Sequence, residues 1–123
     1  EMGRQYHKIS AVTMVAIAAA AQYRFIAHDG GLATNAGGVK DTIGVSESSA
    51  AIGEAFPVVT GFSYLVESSA ALAEHAYVRP AADGTGRAEA GTATDHCGRV
   101  MPGSAATAAG QLVEIRILPH RHT

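Results

Sequence analysis

The chain matches itself at an offset of 54 residues, and this internal repeat constrains the fold more than any single motif does. Tyr23 recurs as Tyr77, Ala27 as Ala81, Asp29-Gly30 as Asp83-Gly84, and Gly37 as Gly91. Asp41 matches Asp95, Gly44 matches Gly98, Ala55 matches Ala109, and Val59 matches Val113, all without a gap. The matched positions are mostly Gly and Asp, which suit a bending backbone, so Gly30, Gly44, Gly84 and Gly98 are expected as structural turn glycines. The repeat predicts one domain over residues 11–118, built from similar halves of about 50 residues (16–64 and 70–118). Residues 1–10 are polar and aperiodic and are read as an extended N-terminal arm; residues 119–123 are read as a polar tail.

The local signals are those of strands and tight turns. Ile9 to Ile17 reads as a first strand. Tyr23 to Ala27 alternates, and His28-Asp29-Gly30-Gly31 is a hairpin turn, since Asp-Gly tolerates the positive φ such turns require. Asn35 to Gly38 is a further break. Thr42 to Ser46 is a strand, and Phe56 to Val66 is the longest β run, with Pro57 marking an edge because it cannot donate to a ladder. The second copy repeats the plan: Ala76 to Pro80, the turn at Asp83-Gly84, the strand from His96, and a closing strand Gln111 to Leu118. In that last strand Val113, Ile115 and Ile117 alternate with Glu114 and Arg116, so one face is buried and the other wet. Only Ser68 to His75 could form two turns of helix. The fold class expected is all-β, a small barrel or sandwich.

Composition removes several function classes. Nine Lys and Arg stand against eleven Asp and Glu, and the net charge of −2 comes with no basic cluster, so nucleic acid is not an expected partner. Charged residues are 16% of the chain against about 25% in an average domain, and a bland surface rich in Ala, Gly, Ser and Thr suits a protein that lies against another protein. A single cysteine, Cys97, excludes an internal disulfide and a multi-thiolate zinc site. Arg4 and Lys8 before the apolar run Ile9 to Ala21 have the outline of a secretory signal. The β-rich Val12-Thr13-Met14-Val15 argues against it, and the run is too short for a membrane helix.

No constellation supports catalysis, a cofactor or a metal. His96 with Cys97, and His120 with His122, are too few ligands to converge on an ion, and Cys97 is expected as a small core residue. Asp29, Asp83, Asp41 and Asp95 are isolated in sequence, which suits turns rather than calcium. Neither a Gly-x-Ser-x-Gly elbow nor a phosphate loop is present.

Four stretches carry a family resemblance: Thr42-Ile43-Gly44-Val45-Ser46, Ala51-Ile52-Gly53-Glu54, His96-Cys97-Gly98-Arg99-Val100, and Ala109-Gly110-Gln111-Leu112-Val113-Glu114-Ile115-Arg116. Through them the chain resembles, over roughly residues 9–118, the small capsid decoration (cement) proteins of tailed bacteriophages. The resemblance implies a β-barrel-like virion protein on the outer surface of the capsid. It would cement neighbouring major capsid protein subunits and stabilise the expanded head. It implies a homo-oligomer, a trimer by preference and a dimer in some relatives, and it carries no catalytic residue. The His-Arg-His tail beyond Leu118 is a departure from the family pattern. Within the arm, Arg4, Gln5, Tyr6, His7 and Lys8 are the expected capsid contacts, with Tyr6 as anchor, adding a strand to an exposed sheet edge. A frayed terminus is the bland reading of the same residues.

Two rivals come from other classes. Lipoyl and biotinyl carrier domains are also small barrels of two similar halves with a modified lysine at a hairpin tip. Lys40 follows a Gly-Gly turn, but its flanks Val39 and Asp41-Thr42 lack those families' context. A carbohydrate-binding module would show exposed aromatics; here Tyr6, Tyr23, Tyr64 and Tyr77 are few, and Tyr23 and Tyr77 are tied to the repeat.

Overall fold

The computed structural model describes residues 8–35 and 40–121. Those residues hold no helix. Nine strands follow in chain order: β1 (Ala11–Val15), β2 (Phe25–Ala27), β3 (Thr42–Ser46), β4 (Ala55–Val59), β5 (Ser63–Glu67), β6 (Tyr77–Pro80), β7 (Ala88–Ala90), β8 (His96–Val100) and β9 (Leu112–Arg121). They form two antiparallel sheets, one ordered β1-β4-β3-β2 and the other β5-β9-β8-β6-β7. The architecture is sandwich-like, not a closed barrel.

The two sheets share one strand order, with β7 added at the far edge of the second. One row across the first sheet reads Ala11, Val59, Val45, Phe25. The corresponding row across the second reads Ser63, Arg116, Arg99, Tyr77. Equivalent stations are 52 residues apart for β1 and β5 (Ala11, Ser63), 54 for β3 and β8 (Val45, Arg99), and 57 for β4 and β9 (Val59, Arg116). An ungapped offset of 54 therefore superposes only β3 on β8. The loops between strands differ in length, and the sequence match of Val59 with Val113 pairs residues at different stations.

Glycine is used in two ways. Gly30 and Gly84 are turn residues with φ of 91° and 78°. At the first turn Asp29 Oδ1 accepts from Gly31 N–H at 2.8 Å, while Ala27 N–H donates to Gly31 O at 2.8 Å. Gly44 and Gly98 are not turn glycines, contrary to the expectation from the repeat. They lie inside β3 and β8, where a Cβ would stand 2.1 Å from Val59 O and 2.9 Å from Arg116 O. They are small because the next strand passes too close for a side chain.

The long β run of Phe56 to Val66 is two strands. Thr60-Gly61-Phe62, with Phe62 at φ 50°, carries the chain from β4 in the first sheet to β5 in the second. Periodicity alone cannot mark such a change of sheet, because both strands are apolar. Pro57 sits in β4, which lies between β1 and β3. Its missing N–H falls where β3 has ended, since the β3–β4 ladder closes at Ser46 and Val58 and Glu47 N–H donates to Pro57 O. Ser68 to His75 is not helical either. Leu72 and Ala106 exchange backbone hydrogen bonds at 2.8 and 2.9 Å, as Ala20 and Ala50 do in the first half at 2.9 Å. The closing strand continues past Leu118 to Arg121, so the residues expected as tail include strand.

Burial explains why the sheets associate. Ala16, Ala20, Ile26, Ala50, Phe56 and Val58 form a small core on one face of the first sheet. On its other face Phe25, Val45 and Val59 join Tyr64, Val66, Val78, Val113 and Ile115 of the second half in the main core. Small side chains dominate both, as an Ala-rich and Trp-free composition demands. Cys97 is buried among them, and burial pushes its thiol pKa well above the ordinary range.

Candidate interaction surface

β1 ends its sheet, with β4 on one side only. The pairing continues beyond the strand in the same register, from Lys8 opposite Phe62 through Val15 opposite Ala55 to Ala20 opposite Ala50. β2, at the opposite end of the sheet, is covered by a bond from Phe25 N–H to Gly86 O at 2.7 Å, and β5 by one from Glu67 N–H to Tyr23 O at 3.0 Å. Among the described residues, Ala11–Val15 have no backbone partner on their outer side. The run from Ile9 to Ile17 contains no charge and no proline, which are the usual blocks to edge pairing.

The same strand is apolar and exposed. Ile9, Val15 and Ile17 are 77%, 58% and 53% exposed, and Ile52, on the loop before β4, is 72% exposed. A continuous apolar run without alternation is the pattern of a strand covered on both faces, and the described residues cover only part of this one. Sequence reasoning placed the strand but missed that it is left open. The signal was available in its lack of alternation.

The chain enters β1 through the expected arm. Lys8 pairs with Glu47, Nζ to Oε2 at 2.6 Å, which ties the arm's first described residue to the end of β3. Arg4, Gln5, Tyr6 and His7 lie outside the described residues, as do Gly37 of the repeat and His122 of the tail. The other expected residues scatter. Lys40, the carrier-type lysine, is held against the hairpin, its Nζ 2.8 Å from Asp29 Oδ2. That lysine and the Gly31 N–H together depress the Asp29 pKa. Asp83 is depressed in turn by hydrogen bonds from Thr85, its own turn's threonine. Tyr23 packs on Tyr64 with ring centroids 5.9 Å apart, while Tyr77 stacks on His96 at 4.5 Å. The repeat-matched tyrosines therefore do different things.

A cleft of about 410 Å³ lies between the halves, lined among others by His28, Asp41, Thr42, Ile117 and His120. His120 is buried, and its Nδ1 accepts from Thr42 N–H at 2.7 Å. The imidazole thus caps the start of β3. Among the described residues no three His, Cys, Asp or Glu side chains converge as metal ligands.

No protein-family model matches the chain, and no curated protein matches it. Among solved structures, the chain is similar to the N base of the head fibre protein gp8.5 of bacteriophage phi29. The identity is 15%, the TM-score 0.64, and the match covers 93% of this chain and 98% of the other. The two share a fold over nearly their whole lengths.

Proposed function

We propose that this chain is a structural, non-enzymatic protein of a bacteriophage virion. It binds the outer surface of the head and cements neighbouring major capsid protein subunits, stabilising the expanded shell. The observation that carries the reading is the fold shared end to end with the base of a phage head fibre. The open, uncharged β1 supports it physically. A strand edge supplies main-chain hydrogen bonds to a partner without demanding a particular sequence, and its exposed Ile9 and Val15 add apolar contact. The partner is the major capsid protein, and Arg4, Gln5, Tyr6, His7 and Lys8 are the further residues proposed to contact it. A homo-oligomer multiplies these modest contacts, and repeated attachment to a lattice raises their combined strength.

The test mixes the protein with expanded empty heads of its phage and follows binding by size-exclusion chromatography with light scattering. Saturable binding, with a raised melting temperature of the heads, is expected, and deletion of residues 1–8 should reduce occupancy. Absence of binding overturns the reading. The same fold match favours a second reading, a base that holds a longer fibre on the head. Electron microscopy of intact virions separates the two: low knobs on the shell belong to the first reading, projecting fibres to the second.

A further inference from the structure

The row that buries the first sheet has a counterpart in the second sheet whose arginines no described residue buries. In the first half Val59, Val45 and Phe25 lie side by side and pack into the main core. At the same three stations the second half carries Arg116, Arg99 and Tyr77. The halves therefore join unsymmetrically. The face used for joining in the first copy is left facing outward in the second, and its residues have changed from apolar to cationic and aromatic.

Arg99 and Arg116 stand directly opposite each other on adjacent strands, both exposed. Like charges at such a station repel and weaken a sheet, so their juxtaposition does not stabilise the ladder. Each guanidinium lies over a ring: Arg99 is 4.6 Å from the centroid of Tyr77, and Arg116 is 5.4 Å from that of Phe62. Arg99 is further fixed by donating from Nε to His75 O at 2.8 Å. Lys8, Arg24, Lys40, Arg79 and Arg87 all meet carboxylates. Among the described residues neither Arg99 nor Arg116 does. Met101 and Pro102 form an apolar floor beside them.

We propose that this face of the second sheet is a docking surface for an acidic segment of a partner protein, whose carboxylates bridge Arg99 and Arg116. Two forks held by stacking present donors in the geometry that carboxylates accept in pairs. The apolar floor takes the aliphatic part of the segment. Nucleic acid fits less well, because a phosphate backbone needs a tract of positive charge and this chain is net negative. The inference does not rest on the virion reading, since peptide binding and head binding are separate measurements.

The test uses the full chain and a fluorescein-labelled hexaglutamate peptide, with hexaglutamine and a hexathymidylate oligonucleotide as comparison probes, read by fluorescence anisotropy at low salt. Hexaglutamate should bind most tightly. R99Q and R116Q should each weaken it about tenfold, the size expected for losing a charge-assisted pair, whereas K40Q, which removes the same charge elsewhere, should leave it unchanged. R116E should abolish binding while keeping or raising the melting temperature, because it places opposite charges across the ladder. That variant separates loss of the surface from loss of the fold. Failure to bind hexaglutamate, equal binding of the oligonucleotide, or indifference to R99Q and R116Q would each overturn the proposal.

Discussion

Gly44 and Gly98 occupy one station in two sheets and answer to one constraint, the carbonyl of the neighbouring strand. At Gly44 an added Cβ would fall 2.1 Å from Val59 O and 3.0 Å from a Val58 methyl, and backbone cannot yield as a flexible side chain does. G44A should therefore destabilise the protein by about 2–4 kcal/mol in urea unfolding, the range for overpacking a rigid site. Gly84 differs: its φ is 78°, but an added Cβ meets nothing within 4 Å. G84A should cost only about 1–2 kcal/mol, the strain of a left-handed alanine. Equal losses in the two variants would refute this distinction. The turn aspartates make a separate statement about acid. Lys40 and the Gly31 N–H lower the Asp29 pKa below 3.8, and Thr85 does the same for Asp83. A depressed carboxyl contributes its stability fully above the unfolded value, and loses it as pH falls through the folded value. Stability should decline below about pH 4, and D29N should flatten that acid limb while leaving the neutral region nearly level. An acid limb unchanged in D29N would count against it.

At the level of elements, β1 combines a free edge with a scaffold that does not need that edge. Thr60 N–H donates to Ser10 O at 3.0 Å and Ala16 N–H to Glu54 O at 2.9 Å, so the even-numbered residues face β4. Alternation then turns the N–H of Thr13 outward. T13P removes a donor from the outer edge and keeps the ladder to β4, in a setting where proline is tolerated. It should lower occupancy on heads severalfold while shifting the melting temperature little. Loss of stability without loss of binding would take the contact away from this edge. The elements also mark how far the sequence could be read. The turns at Asp29-Gly30 and Asp83-Gly84 were legible, because positive φ restricts the residue type, and β3 and β8 were legible as short β-prone runs, although the matched glycines inside them were read as turn residues. The change of sheet at Gly61-Phe62 was not, because β4 and β5 are equally apolar and form one unbroken β run. The outward Arg99–Arg116 row was hidden for another reason. Whether a face is covered depends on how the halves meet, and no local pattern records that.

Across the whole molecule, the halves are bound by shared core rather than by a linker. Phe25, Val45 and Val59 complete the core of the second half, and Arg24 reaches across to donate to Thr85 O at 2.9 Å and to Glu67 at 3.2 Å. Separating the halves would expose those three side chains and give up the Arg24 contacts, at a cost neither small sheet could offset alone. The repeat therefore describes ancestry and geometry, while folding is expected to be a single event. In denaturant, tyrosine fluorescence from the Tyr23–Tyr64 contact and the backbone circular dichroism should fall together with one midpoint. V59A, which trims a fully buried side chain at the junction, should move both curves equally and lower stability by about 1–3 kcal/mol. V58A trims the small core within the first half and should also move both curves together if folding is cooperative throughout. A first-half transition that separates from the rest in V58A would mean that the duplicated units retain independent stability, and that the shared core joins two folds instead of making one.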